Sequence, residues 1–388
     1  MFATDAHELG TFEHAIRGTY EFPAQPLGTP TVALRAAITR SLREGNVPGA
    51  SVAVVDHHGL RWADGFGVAN LDTGEPARVD TIYHLFSGTK LFTATAIMQL
   101  VEQGLVTLDD SVARYVPAMR AVGDISLRHL LSHQSGLRDS LRGLLAVHFP
   151  DEPAPDSTAA LHDFRLSASR PAGTRVEYLN VNYALLGEVI TRVTGTEYRT
   201  HVTRAVLAPL GDDLSFTSVD AWRARAATGY IDRWDPMRVV LRALFPAVTR
   251  RLYGTHSHGM VALNAYALNA SAIGGLIGTV SGFAQFLQRQ MTDGGELLRP
   301  ESVRLMQTML ARGAAGIESR EGVGLGWKFG RVGATSFLNH EGGGAGFTSE
   351  LRMYPDAGIG VAIAMNAMRM PRTMRVAHRI AELIRTMG

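Results

Sequence analysis

Ser87 and Lys90 stand three residues apart at the start of a stretch with helical spacing, Gly88–Gln103. On a helix, positions three apart share a face, so the lysine Nζ can reach the serine Oγ. A helix start also offers free backbone N–H groups and the positive end of the dipole, which favour negative charge developing at the serine. The chemistry such a pair suggests is nucleophilic, with the serine proton passing to an amine. Ser-x-x-Lys is a common pattern by chance, but composition strengthens this one. Of 38 Lys+Arg residues only two are lysine, Lys90 and Lys328. Arginine cannot lose its proton in a protein, whereas a buried lysine can shift towards neutrality and act as a base. The other common serine-nucleophile pattern, G-x-S-x-G, is absent.

Two further groups could complete such a site. Tyr178-Leu179-Asn180 is the single Y-x-N in the chain. A tyrosine beside a lysine ammonium has its phenolate favoured, so Tyr178 could serve as general base or as a proton relay to a leaving group. The Asn180 amide could hold both Lys90 and a substrate carbonyl. His340-Glu341-Gly342 is followed by Gly343-Gly344-Ala345-Gly346-Phe347. A strand ending in glycines lets backbone approach a substrate closely and can supply an N–H to an oxyanion. Two other basic-x-Gly triplets, His57-His58-Gly59 and Lys328-Phe329-Gly330, read as structural: the first lies in a hairpin turn, the second lacks the glycine-rich continuation.

These residues need elements to position them. Residues 1–30 carry Pro23, Pro26 and Pro30 and read as an irregular extension. Thr31–Glu44 has helical spacing and ends before Gly45. Ala50–Asp56 and Leu60–Gly67 read as a β-hairpin. From Phe86 to about Leu210 helical signals dominate, clearest at Gly88–Gln103, Leu127–Ser132, Val181–Thr194 and Tyr198–Leu210. Strand signals return at Phe337–His340, Phe347–Tyr354 and Gly360–Ala364, and an amphipathic helix, Arg372–Thr386, closes the chain. Strands at both ends with helices between predict one α/β domain, 31–85 with 271–388, carrying an inserted all-α domain, 86–270.

Ser87-x-x-Lys90, Tyr178-x-Asn180 and His340-x-Gly342, in this order, resemble the three motifs of serine β-lactamases and penicillin-binding proteins. Within that family the resemblance is to the class C β-lactamase-like group, which includes family VIII carboxylesterases, D-aminopeptidases and DD-peptidases. It runs from about residue 31 to the end. Leu127–Leu137 resembles the family's RHLLTHTSGL segment, and Phe347–Asn366 its strand pair after the third motif. The resemblance implies an antiparallel β-sheet flanked by the N- and C-terminal helices, the β-lactamase/transpeptidase-like fold. It also implies roles: Ser87 as acylated nucleophile, Lys90 and Tyr178 sharing its proton, and an oxyanion hole from the N–H groups of Ser87 and Gly343. Which of Lys90 and Tyr178 is the first base stays open.

In the family's β-lactamases and transpeptidases the third motif usually begins with lysine, which helps recognise a substrate carboxylate. Here His340 stands in that place and is expected to be largely neutral at pH 7. The expectation is a carboxylesterase acting on small or acyl esters. The alternatives are D-aminopeptidase, DD-peptidase or β-lactamase activity, and beyond these an acyltransferase or a slow acyl-binding sensor.

A net charge of +2, without a dense basic block, argues against nucleic acid as the main partner. The absence of cysteine excludes disulfides, thiol catalysis and Cys-based zinc sites. No cofactor and no metal are expected. Asp5, Glu8 and Glu13 interrupt any secretory apolar run, and no stretch is long and apolar enough to span a membrane, so a cytoplasmic location is expected. His129 and His133 lack the glutamate of H-E-x-x-H and read as structural, as do His256 and His258 in an expected loop. Met237, Val240, Leu241, Leu244, Phe245, Val248 and Leu252 form a helical stripe opposite Arg238, Arg242, Arg250 and Arg251, with Pro246 set to divide it. That segment, 237–252, is expected to pack on the protein, with a wall over the site mouth or peripheral lipid contact as alternatives.

Overall fold

Alternation along the strands decides the layering. In a computed structural model, which describes residues 30–140, 146–156, 161–162, 164, 166–216, 220–292, 294–316 and 320–385, the first helix is α1 (Pro30–Gly45), followed by β1 (Gly49–Asp56) and β2 (Gly59–Gly67). All but the last residue of the expected 1–30 extension lies outside these residues. In β1, Val52 and Val54 point to one side and Ala53 and Val55 to the other, and all four are buried. A strand apolar on both faces must be central and covered twice.

The covering partners come from both halves of the chain. The turn bearing Ser87, a single 3₁₀ turn at Phe86–Gly88, leads into α2 (Thr89–Glu102). Beyond it come α3 (Asn180–Thr194), α4 (Val280–Met291), β3 (Ala311–Arg312), β4 (Gly322–Val323), β5 (Lys328–Val332), β6 (Thr335–Gly344), β7 (Phe347–Tyr354), β8 (Ile359–Met365) and α5 (Met370–Arg385). The eight strands form one antiparallel sheet in the order β3-β4-β5-β6-β7-β8-β1-β2. Thus β1 pairs with β8, Ala53 opposite Ala362, and the chain's two ends meet in the middle of the sheet. Leu34, Ile38 and Leu42 of α1 share a core with Val52, Val54, Val361, Ile363 and, from α5, Val376 and Ile380. Ala53, Val55, Ala362 and Ala364 share the other core with Phe283, Phe286 and Leu287 of α4.

Three small antiparallel ladders lie within or at the borders of the part between, expected to be all helix. One joins Tyr83–His84, Ile277–Gly278 and Leu214–Ser215; a second pairs Val147–His148 with Ala267–Leu268. The third joins Tyr230–Asp232, Met260–Leu263 and Tyr253–Ser257. In this last ladder His256 lies on a strand rather than in a loop. His258 and Gly259, at φ 49° and 75°, make the connecting turn, the positive φ pair that a tight hairpin requires. Tyr198–Leu210, expected as one helix, runs as α, π and 3₁₀ segments in succession.

Pro246 divides 237–252 into helices Pro236–Leu244 and Pro246–Leu252. The stripe is only partly covered: Leu252 is buried, but Val240 and Leu244 are 45% and 56% exposed, beside the still more open Trp234 and Val239. Arg238, placed on the polar face by its spacing, is instead buried. Its guanidinium donates to the Arg233 carbonyl and sits 5.2 Å from the Tyr253 ring centroid, so the arginine packs as an amphipathic stem.

Candidate active site

The turn bearing Ser87 is held from two sides. Leu85 N–H donates to the Leu276 carbonyl (2.9 Å), and the Ser349 hydroxyl donates to the Leu85 carbonyl (2.6 Å). Phe86 takes φ 48°, a left-handed conformation that costs about 1–3 kcal/mol for a bulky residue. Strand β6 comes in so closely that Gly342 and Gly344 cannot be replaced without collision. A Cβ on Gly342 would meet Leu85 O and Ser349 Oγ, with Ser87 N 3.1 Å away; one on Gly344 would enter the Phe86 ring. Strand β6 therefore extends past His340 to Gly344, with Gly343 opposite Thr348 of β7.

Lys90, in the first turn of α2, is fully buried. Its Nζ lies 3.0 Å from Ser87 Oγ, 2.9 Å from Asn180 Oδ1 and 2.9 Å from the Ile273 carbonyl. The last two are acceptors only. A neutral amine has two N–H groups, which they take, and one lone pair, which is left facing the serine hydroxyl. Burial first, and the Lys328 charge second, hold Lys90 well below the ordinary lysine range, against the opposing pull of Asp139 and Glu341.

Asn180 opens α3 and does not orient itself. Asp139 accepts from Asn180 N–H (2.9 Å) and Asn180 Nδ2 (3.0 Å) with one oxygen, and from Val181 N–H (2.8 Å) with the other. The carboxylate caps the helix and fixes the amide with its oxygen towards Lys90. Sequence reading passed over Asp139, because an aspartate 41 residues upstream of the helix it caps leaves no local signature.

The Tyr178 ring lies among four groups. His133 and His340 have ring centroids at 4.5 and 6.0 Å, and the Nζ atoms of Lys90 and Lys328 lie 5.2 and 4.2 Å from its centroid. Its hydroxyl is buried and closes no well-formed hydrogen bond among the described residues, although nearby Ser87 favours its ionised form. Burial pushes the phenol well above its usual range, and Glu341 adds to this. The expected phenolate beside a lysine ammonium is therefore disfavoured: burial dominates, and Lys90 itself is held towards neutrality.

His340 is buried, with Nδ1 3.0 Å from the Glu341 carbonyl; Nδ1 thus carries the proton and Nε2 the lone pair. Burial, followed by the charge of Lys328, holds it well below the usual histidine range, and so neutral. His133 accepts from Leu179 N–H (3.2 Å), and His129 completes a capping box with Ser126, so both have structural partners. Among the described residues no cluster of three or more metal-ligating groups occurs, and no helix is long and apolar enough to cross a membrane.

Lys328, read as structural from its triplet, enters the site. Its Nζ pairs with Glu341 Oε1 at 2.9 Å, and the two side chains are 3% and 4% exposed. The same rarity of lysine that singled out Lys90 marks Lys328, but its distance from the serine in sequence hid the contact. A separate cavity of about 420 Å³, lined by Tyr83, His84, Phe216, Tyr266 and Phe347 among others, includes none of Ser87, Lys90, Tyr178 or His340. Among the described residues, the hydrogen bonds and ring contacts of those four likewise involve nothing from 237–252.

The family model described as beta-lactamase matches residues 34–385. The chain is 34% identical over 226 residues to Esterase EstB of Burkholderia gladioli, covering 53% of this chain and 56% of that protein. It is 30% identical over 218 residues to Protein flp of Staphylococcus aureus (strain COL), covering 55% and 42%. These matches span about half the length of the curated relatives. The octameric penicillin-binding protein homologue from Pyrococcus abyssi superposes with a TM-score of 0.74 at 26% identity, covering 91% of this chain and 77% of that one. The D-amino acid amidase from Ochrobactrum anthropi SV3, with L-phenylalanine, gives 0.74 at 22% identity, covering 91% and 96%, a likeness of fold alone. With the serine–lysine pair, the Tyr178–Asn180 segment and the glycine strand gathered on one antiparallel sheet and its helices, the chain belongs to the β-lactamase family.

Proposed function

We propose that this chain is a serine hydrolase that forms an acyl-enzyme on Ser87 and acts on small or acyl carboxylic esters. The observation that carries the reading is the contact of Lys90 Nζ with Ser87 Oγ at 3.0 Å, beside two groups that can only accept. When the amine is neutral, Asn180 Oδ1 and the Ile273 carbonyl take its two N–H groups, and its lone pair is left to accept from Ser87.

The steps follow from that arrangement. Ser87 Oγ attacks the ester carbonyl carbon while its proton moves to Lys90 Nζ. The N–H groups of Ser87 and Gly343 stabilise the oxyanion of the tetrahedral intermediate. Tyr178, kept as a phenol, gives its proton to the departing alkoxide and regains one from the Lys90 ammonium. The C–O bond breaks, the alcohol leaves, and the acyl group stays on Ser87. Water then attacks the acyl carbon while Lys90 takes its proton, the bond to Ser87 Oγ breaks as Lys90 returns that proton to it, and the acid leaves.

The ester preference rests on charge. His340 is neutral, Lys328 is closed by Glu341, and the nearby exposed Asp139 is anionic, so no uncompensated cation among these groups attracts a substrate carboxylate. The similarity to Esterase EstB supports the same choice. The test is a panel of p-nitrophenyl esters, a D-amino-acid amide and a cephalosporin, with Ser87→Ala as control. Esters should give a burst and the highest kcat/KM, and Ser87→Ala should give neither. A folded Ser87→Ala with full turnover would sink the nucleophile, and a cephalosporin hydrolysed better than the esters would sink the ester reading.

A further inference from the structure

Lys328 and Glu341 form a buried ion pair across neighbouring strands. Lys328 opens β5 opposite Asn339 of β6, and Glu341 follows two residues later on the same strand. Asn339 Nδ2 reaches Glu341 Oε2 (3.4 Å) and Glu350 Oε1 (2.9 Å), and Arg352 donates to Glu350 in turn. The Glu341 carboxylate is thus held from two sides, and the Lys328 ammonium is held by the carboxylate. Such a pair is a poor device for stability, since an apolar pair of like volume is often as stable or more so. Its position gives a better account of it. The Lys328 Nζ sits 4.2 Å from the Tyr178 ring centroid, within cation–π range, and closer than Lys90 does. This ammonium is one of only two in a chain that otherwise relies on arginine.

We propose that Lys328, set by Glu341, is a positioning residue of the reaction: its ammonium, at the same Tyr178 ring that Lys90 Nζ approaches, holds that ring and keeps a positive charge beside the amine that takes the Ser87 proton. The proposal rests on the reading of Ser87 and Lys90 given above. The groups facing Lys90 are few. Ser87 lies on its own turn, Asn180 and Tyr183 on α3, Tyr178 just before it, Asp139 on the capping loop, neutral His133 just after the Leu127–Leu131 helix, Lys328 on β5, and Glu341 with neutral His340 on β6. Of the charges, Lys328 lowers the proton affinity of Lys90, while Asp139 and Glu341 raise it. Removing Lys328 or Glu341 should therefore move the amine in opposite directions, a response that loosened packing would not produce.

The experiment is the pH dependence of kcat/KM for a p-nitrophenyl ester in Lys328→Met, Lys328→Arg, Glu341→Gln and the double variant Lys328→Met/Glu341→Gln. The double variant leaves no buried charge unpaired, so it keeps the question open to measurement if Lys328→Met does not fold. Lys328→Met should shift the acid limb up by about one unit, about a tenfold loss on that limb, and the double variant should shift it up by less. Glu341→Gln should shift it down, and Lys328→Arg should leave it near the parent. Folded Lys328→Met or double variant with the parent's acid limb, or shifts of one sign for both single variants, would overturn the proposal. Ser87→Ala separates the two readings: turnover in that variant defeats the nucleophile itself, whereas an inactive Ser87→Ala beside an unmoved Lys328→Met limb defeats only the role of Lys328.

Discussion

The serine–lysine contact reduces to a count of donors. Lys90 faces two acceptors and one hydroxyl, so the hydroxyl must give its proton to the amine when the amine is neutral. Activity should follow that protonation state with a definite sign. Lys90 works as a base only when uncharged, so kcat/KM should rise as pH rises through its depressed value and be lost as pH falls below it. Lys90→Met should lose about 10²–10⁴-fold in kcat and abolish that acid limb, read in the same ester assay. Tyr178→Phe tests the donor role. If the phenol protonates the leaving group, the loss should be large for an alkyl ester and small for a p-nitrophenyl ester, whose anion departs unaided. Equal losses for both would remove Tyr178 from that step. At this scale the sequence was informative where residues lie close together or in known motifs, as with Ser87, Lys90, Tyr178, Asn180 and His340. It was silent on Ile273, which contributes a backbone carbonyl, because a carbonyl carries no residue identity.

The elements matter here for how they deliver these groups. Helix α3 is started by a carboxylate from outside it, and Asp139 satisfies two of its leading backbone N–H groups while fixing the Asn180 side chain. Asp139→Ala should cost about 1–2 kcal/mol in stability, measured by urea unfolding, and a larger factor in kcat than in KM because Asn180 is freed to turn away from Lys90. Asp139→Asn should recover most of the stability but less of the rate. Periodicity located α2 and α3 to within a residue, and it found β7 with the same bounds. It ended the preceding strand at His340, whereas β6 runs on through Glu341 and three glycines because β7 pairs with them and the Phe86–Gly88 turn packs against them. It also missed the short ladders, whose two- to five-residue strands are too brief to show a period. The Tyr253–Ser257 and Met260–Leu263 pair could have been found from its His258-Gly259 turn.

Across the whole molecule, the pairing of β1 with β8 joins the β1–β2 hairpin to the other six strands, so these parts cannot separate without breaking a ladder inside the sheet. The helical part is tied to this sheet through α2. Phe92 of α2 stacks on Phe286 of α4 with ring centroids 4.1 Å apart, both fully buried. Phe286→Ala should cost about 3–5 kcal/mol, read by urea unfolding, and should lower activity at temperatures where the fold is still intact, since it loosens the helix that carries Lys90. A division into two parts was expected because strand and helix signals are segregated along the chain; the Phe92–Phe286 contact could not be expected, because it joins residues 194 positions apart. One further consequence follows from where the two lysines lie. Every side-chain amine in the protein is buried at the reaction centre, 0% and 3% exposed. An amine-acylating label should therefore leave both side chains untouched in the native state, apart from any reaction at the α-amino group. The rate at which it reaches Lys90 and Lys328, followed by peptide mapping, should report how often the centre opens, at a position no engineered probe has disturbed.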